Sequence, residues 1–573
     1  MNIRFDDGAA SDPAREGRDR LARQAALRAA NDFAPTVPDV TVDYRSHGRT
    51  LVVGSALDAL PLADRLAGAL PVTVLLLDAP ARSPGAPGVE GTEGAGGPPR
   101  LYPVHPAQTV AVAGWLGAFE ARWRAPGHAV GEGRFDLVLD LCPARLIASH
   151  QRPHGYFAPG PDEAARLAAV EDLLGMVGDF EKPKYFSYNE RICAHGRNGI
   201  HACTACVDIC SAGAIASDGD RVKVNPYLCA GCGACGTVCP TGAMRYAYPA
   251  APFTGKRIQA ALRAFGAAGG ADPVLLLHDA RGADLVADLG EGMPGRIVPF
   301  SLYHVAAAGI DVWLAALAYG AAGVVLLTSG DEAPQYVQAL GEQIDVAQAV
   351  LDGLGYAGPH FQLLRLDGSA PLAVHELARA LRQAPRGAAP AEPAVFHLAA
   401  DKHNSLDYAL AHLHRHAPQQ PAHIGLPAGA PFGTLDIDRQ ACSLCMACVG
   451  VCPAHALQDG QGAPQLRFIE KNCVQCGLCA STCPENAIAL APRISFDPAR
   501  MRAVVLNESQ PFHCIRCDKP FGTLQMVENM LGRLGAHPAF AANPERLRMC
   551  GDCRVIDMML PADEVRITQL RRD

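Results

Sequence analysis

The arrangement of cysteines constrains this chain more than any other feature. Of the 21 cysteines among 573 residues, all but Cys142 fall into five tight groups. The most regular run is Cys442-x2-Cys445-x2-Cys448-x3-Cys452-Pro453, followed by Cys473-x2-Cys476-x2-Cys479-x3-Cys483-Pro484. Three thiolates on one tight loop can grasp three corners of a cubane, while the fourth, displaced by three residues and fixed by proline, points toward a second cubane. The spacing therefore predicts two [4Fe–4S] sites with crossed ligands: Cys442, Cys445, Cys448 and Cys483 on one, Cys473, Cys476, Cys479 and Cys452 on the other. Paired zinc ions would use four thiolates each, but would call for neither the third cysteine of each loop nor the proline.

The scheme recurs upstream with one irregularity. Cys229-x2-Cys232-x2-Cys235-x3-Cys239-Pro240 is complete, whereas Cys203-x2-Cys206-x3-Cys210-Ser211 lacks its first position. Cys193, separated from Cys203 by the insert AHGRNGIHA, is the natural first ligand. One site then takes Cys193, Cys203, Cys206 and Cys239, and the other Cys229, Cys232, Cys235 and Cys210. Without Cys193 the first would be a three-cysteine cluster with an open iron or an altered potential. After each last cysteine a small residue precedes a large apolar one at a fixed offset: Ala214-Ile215, Ala243-Met244, Ala456-Leu457 and Ala487-Ile488. We read the alanine as approaching the cluster and its neighbour as sealing the cluster from water, since burial and hydrogen bonds to sulfur set the potential. The insert histidines His195 and His201 could donate to cluster sulfur, but the simpler reading makes them loop residues.

The fifth group, Cys514-x2-Cys517 and Cys550-x2-Cys553, supplies two knuckles for a four-thiolate tetrahedral site. Structural zinc fits it, with a fifth iron–sulfur centre as the alternative. Leu524, Val527, Met530, Leu531 and Leu534 between the knuckles have helical spacing. Cys142, at the end of an apolar run and before Pro143, reads as a buried structural thiol.

These motifs resemble the 2[4Fe–4S] ferredoxins over residues 185–250 and 433–495. In order and in stretches such as FEKPKYFSYNERICAHGRNG and NCVQCGLCASTCPENAIAL, the chain also resembles the large bacterial 4Fe–4S proteins often encoded beside molybdenum- or tungsten-dependent formate dehydrogenases. That resemblance implies redox enzyme subunits, formate dehydrogenase among them, as partners. Residues 295–366 are similar to the delta subunit of methyl-viologen-reducing hydrogenase, but carry none of that family's cysteines. The likeness therefore implies a docking or structural unit that has lost its cluster.

The remaining sequence divides into α/β segments. Short apolar runs at 50–53, 72–77 and 136–141, and again at 273–279, 295–300 and 323–329, read as buried parallel strands separated by helices. The fold class is thus α/β plus α+β and multidomain. We expect an N-terminal helix and tail (1–46), an α/β domain (47–184) with a disordered Gly/Pro-rich insert at 81–99, a first ferredoxin-type module (185–250) and a second α/β domain (251–385). A linker with one helix (386–432), a second module (433–495) and a four-cysteine domain (496–573) follow. Asp12 or Ser11 before Pro13 marks the start of a helix reaching about Asn31. The first βα turn, GSALDA, is not a dinucleotide fingerprint. His403, His412, His414 and His416 in the linker helix read as a solvated face rather than a metal site.

A net charge of -8 without a basic run argues against nucleic acid. The apolar run 312–327 falls short of the roughly 18 residues of a membrane span. The N-terminus shows neither a twin-arginine pair nor an apolar signal core. Together with so many unpaired thiols, this points to the cytoplasm. No nucleophile–base pair stands out, so the expected role is non-catalytic electron transfer to or from a redox enzyme. The alternative is an accessory or maturation factor that supplies electrons or clusters to a molybdo-enzyme.

Overall fold

The structure is a computed structural model describing residues 12–34, 36–78, 102–125, 129–330, 332–366, 370–460, 463–538 and 540–559. The insert expected to be disordered, 81–99, lies outside these.

The first α/β unit is a five-stranded sheet in the order Val104–Pro106, Val72–Leu76, Thr50–Gly54, Leu137–Asp140, Tyr156–Phe157, parallel throughout. A central parallel strand is covered on both faces, so its sequence carries no polar alternation, and Thr50–Gly54 is buried at every position. Val52 packs with Leu62, Leu66 and Leu173 of the helices Ala56–Leu66 and Glu163–Leu174. Leu51 and Val53 face Phe119, Ala121 and Phe135 instead. Those three belong to an antiparallel sheet of Thr109–Ala113, Phe119–Arg124 and Gly131–Phe135, which the sequence reading did not find. Its strands alternate between exposed and more buried positions, but each holds only one or two fully buried residues.

The second α/β unit is a four-stranded parallel sheet, ordered Ile297–Ser301, Val274–His278, Gly323–Ser329, Phe361–Leu366. The helix Ile310–Ala318 is buried along its whole length. The apolar run 312–327 is therefore a core helix followed by a central strand, and no helix among the described residues is long and apolar enough to cross a membrane. The N-terminal helix Pro13–Asn31 starts where Asp12 accepts the Ala14 N–H, and it adds Ala22, Ala26 and Ala30 to this core. Downstream, Thr41–Ser46 pairs antiparallel with Gly178–Pro183 of the first unit.

The stretch 386–432, read from its proline and alanine content as a linker, is built into the same core. Its helix Lys402–Arg415 lies against Ile310–Ala318 and buries Leu406, Ala409, Leu410 and Leu413.

Each module has the same plan. Its first strand pairs antiparallel with its last, Phe186–Tyr188 with Met244–Tyr246 and Gly433–Ile437 with Ile488–Ser495. A central hairpin lies between: Ile215–Asp218 with Arg221–Val224, and Leu457–Asp459 with Gln465–Phe468. The C-terminal unit combines the hairpin Pro511–His513 and Pro520–Thr523 with the expected helix, Leu524–Leu534.

Candidate cluster and metal sites

The fixed offset between the last cysteine and the alanine has a backbone cause. Ala214, Ala243, Ala456 and Ala487 are all buried. The Ala243 carbonyl accepts the Asn189 N–H at 2.9 Å, Ala214 that of Asn225 at 2.7 Å, Ala487 that of Asp438 at 3.0 Å and Ala456 that of Ile469 at 2.8 Å. In every case the donor stands four residues before the first cysteine of the facing half-module. Asn189 therefore occupies before Cys193 the place that Asn225, Asp438 and Ile469 occupy before Cys229, Cys442 and Cys473. Amides at the same end of the loop reach sulfur: Ala214 N–H to Cys210 Sγ at 3.3 Å, Ala487 N–H to Cys483 Sγ at 3.3 Å and Met244 N–H to Cys239 Sγ at 3.4 Å. An N–H aimed at a thiolate stabilises added negative charge and raises a cluster's potential.

The thiols gather in the crossed pattern. One cavity is lined by Cys442, Cys445, Cys448 and Cys483, and another by Cys452, Cys473, Cys476 and Cys479. In the first module, burial and then Cys239, Cys203 and Cys193 push the Cys206 thiol up to about 12. Burial, with Cys232, Cys229 and Cys210, raises Cys235 well above the usual thiol range. Burial and then Cys442, Cys445 and Cys483 push Cys448 up to about 12. Thiolates crowded in this way need a cationic core to offset them. The loops bend sharply to present them. Two residues after the first cysteine, Gly231 (φ 78°), Leu444 (φ 56°) and Gln475 (φ 51°) are all left-handed, a strain that non-glycine residues bear mainly where function demands it.

Further side chains, most of them from outside the loops, complete the surroundings. Tyr336, on the helix Pro334–Gly353 of the second α/β unit, donates its O–H to Cys232 Sγ at 3.0 Å. Its hydroxyl also meets Ser211, next to Cys210. Gln475 Nε2 donates to Cys473 Sγ at 3.3 Å. Lys182 Nζ donates to the Cys229 carbonyl at 2.7 Å, and Lys402 Nζ to that of Cys239 at 3.3 Å. Of these only Gln475 lies within a cysteine motif, and no spacing rule marks the others. His195, read as a loop residue, is buried: its Nδ1–H donates to the Cys203 carbonyl at 2.8 Å, its ring stacks on His201, and Nε2 has no partner.

The linker-helix histidines do not converge on a metal, nor do they form an open face. His412 and His414 are half-buried and bond the carbonyls of Glu392 at 2.9 Å and Pro421 at 3.2 Å; His414 also stacks on Phe496. His403 Nε2 is buried without a partner, and His416 lies against the His412 ring. Cys142 is half-buried rather than buried, because it closes the C-terminal end of a strand. Burial and then Asp140 push its thiol up to about 12.

The C-terminal site differs in scale. The thiols of Cys514, Cys517, Cys550 and Cys553 all lie within 4.8 Å of one another, and Cys517 Sγ is 3.7 Å from Cys550 Sγ. Two thiolates at about 2.3 Å from one tetrahedral ion stand about 3.8 Å apart. These four cysteines could hold a metal, and the Cys517–Cys550 spacing matches that of two thiolates on one tetrahedral ion. The Cys514 thiol is held down at about 6: burial opposes ionisation, but the N–H groups of Cys550, Arg516 and Cys517 outweigh it. Asp279, His304 and Glu332 also converge, but their groups already serve one another. Asp279 caps the helix Ala280–Leu289, and His304 accepts the Ala306 N–H through Nδ1 while its Nε2 reaches Glu332 at 3.2 Å.

Family models of the 4Fe–4S dicluster domain match residues 441–488 and 201–243. The chain carries two ferredoxin-type 4Fe–4S domains. Two dicluster domains point to four [4Fe–4S] clusters, and the crossed thiol groups fit them. The second match begins after Cys193. A curated relative, the ferredoxin-type protein NapH of Haemophilus influenzae, is 32% identical over 80 residues, which are 12% of this chain and 28% of that protein. These similarities support iron–sulfur electron transfer.

Proposed function

We propose that this protein is a multi-cluster electron relay, its sixteen module cysteines holding four [4Fe–4S] clusters in two pairs and Cys514, Cys517, Cys550 and Cys553 holding one zinc. The crossed grouping carries the reading: in the second module three thiols of each loop share a cavity with the fourth of its partner loop. Such crossing holds two clusters close together, the arrangement a relay requires. Bound clusters supply one-electron chemistry, while the chain orients the thiolates, aims N–H groups at sulfur and excludes water. Cys193 is the first ligand of its group, a reading supported by the Asn189–Ala243 bond.

The redox partner is an enzyme subunit, and the resemblance to proteins encoded beside formate dehydrogenases makes that enzyme the first to test. Anaerobic pull-down of the tagged chain, with metals counted in the same sample, is the decisive experiment. About sixteen irons with matching sulfide, one zinc and reversible reduction are expected, with formate dehydrogenase subunits recovered. Iron near half that value refutes four clusters, and a different redox enzyme in the eluate refutes the formate connection.

A further inference from the structure

The two modules touch through the insert that made the first one irregular. After Cys193 the chain forms a hairpin, Gly196–Arg197 paired with Ile200–His201. The strand Ile200–His201, which runs into Cys203, packs against the short helix Leu478–Thr482, which carries Cys479. Within each module the ligand helices also adjoin: Ala205–Asp208, with Cys206, packs against Ala234–Val238, with Cys235, and Ala447–Val451, with Cys448, packs against Leu478–Thr482, with Cys479.

A brace holds the joint. At the start of Lys402–Arg415, Lys402 binds the Cys239 carbonyl of the first module at 3.3 Å, and Asp401 pairs with Arg245 at 3.4 Å. Farther along the helix, Asp407 pairs with Lys471 at 2.8 Å, two residues before Cys473 of the second module. One helix thus grips the ligand loops of both modules. His195, buried with its Nε2 unpartnered, stacks on His201 of the hairpin.

We infer that the four clusters form one continuous conductor, in the order Cys229 group, Cys193 group, Cys473 group, Cys442 group, joined across the 193–203 hairpin. The inference rests on the proposed reading that each crossed group holds a [4Fe–4S] cluster. Each transfer moves one electron, oxidising one cluster and reducing the next, with no bond made or broken. A redox enzyme supplies the electron at one end and a second redox protein removes it at the other. Exposure agrees with this order. Among the described residues Cys445, in the terminal Cys442 group, is the one exposed module cysteine. Because tunnelling weakens steeply with distance, the hairpin and brace decide whether two pairs act as one.

The test is low-temperature EPR on the anaerobically purified full-length holoprotein, alongside a Cys203→Ser/Cys206→Ser variant that lacks the Cys193-group cluster. Iron and sulfide are counted first, and a count well below about sixteen irons in the wild type overturns the cluster reading and this inference together. With the full count, the reduced wild type should show spin–spin broadening beyond the sum of two isolated pairs. The second-module signals in the variant should saturate at several-fold lower microwave power. If the variant does not fold, stepwise reduction of the wild type decides: signals must change shape when the Cys193 and Cys473 groups are both reduced, beyond the change within either pair. Spectra equal to the sum of two isolated pairs at every stage, or an unchanged saturation power of the second-module signals in the variant, would overturn the continuous conductor while leaving two separate pairs intact.

Discussion

Tyr336→Phe isolates one hydrogen bond to one cluster ligand. The Tyr336 O–H donates to Cys232 Sγ at 3.0 Å, with the phenol buried and braced by Ser211. A reduced cluster puts more negative charge on its sulfurs, so the bond strengthens on reduction. Hydrogen bonds to charged acceptors contribute about 1.5–3 kcal/mol against about 0.5–1.5 for neutral ones, a difference of about 1 kcal/mol. With about 1.4 kcal/mol corresponding to 59 mV for a one-electron couple, the midpoint of one cluster should fall by roughly 40 mV. The other midpoints should hold. An EPR-monitored redox titration of wild type and variant reads this directly. Phenylalanine also leaves the buried Ser211 hydroxyl without a partner, at a cost of about 1–3 kcal/mol in urea unfolding. The Tyr336→Phe/Ser211→Ala double variant should recover much of that stability while keeping the lowered midpoint. A midpoint unchanged within roughly 10 mV, or moved upward, refutes the hydrogen-bond account.

Three further outcomes follow from the same geometry. Leu406→Ala removes a side chain that is 1% exposed in the core of the second α/β unit; it should cost about 2–5 kcal/mol in urea unfolding, and a near-neutral result would show that 386–432 is a linker after all. Cys514→Ser should abolish zinc binding while iron and sulfide stay at wild-type levels, whereas a loss of about four irons would reveal a cluster at that site. Cys142, whose thiol is raised to about 12 by burial and Asp140, has its neutral form favoured, so its thiolate fraction at pH 8 is roughly a thousandfold below that of an ordinary thiol. Mass-spectrometric iodoacetamide labelling at pH 8 should find it nearly inert, and rapid modification would contradict that burial.

Much of the site was legible because cluster ligation is a local code. The spacing of Cys442 through Cys483 alone predicts which thiols meet, since the loop that grips three corners has one length. The same holds for the C-terminal knuckles, though only the 3.7 Å separation of Cys517 and Cys550 favours one ion over a cluster. The alanine repeat was visible, while its cause, a carbonyl taking an N–H from the facing half, was not. The antiparallel sheet at 109–135 escaped because its short strands bury only one or two residues each and carry no long apolar run.

The sequence by itself determined the modules, three parallel strands of each α/β unit and the start of the helix at Pro13, because spacing, apolar runs and caps act over a few residues. Only the tertiary structure decided that the apparent linker is a brace, that Tyr336 reaches Cys232 from 104 residues away, and that the 193–203 hairpin brings the modules together. Those contacts depend on which faces two α/β layers leave for each other, and packing of that kind leaves no periodic trace in the chain.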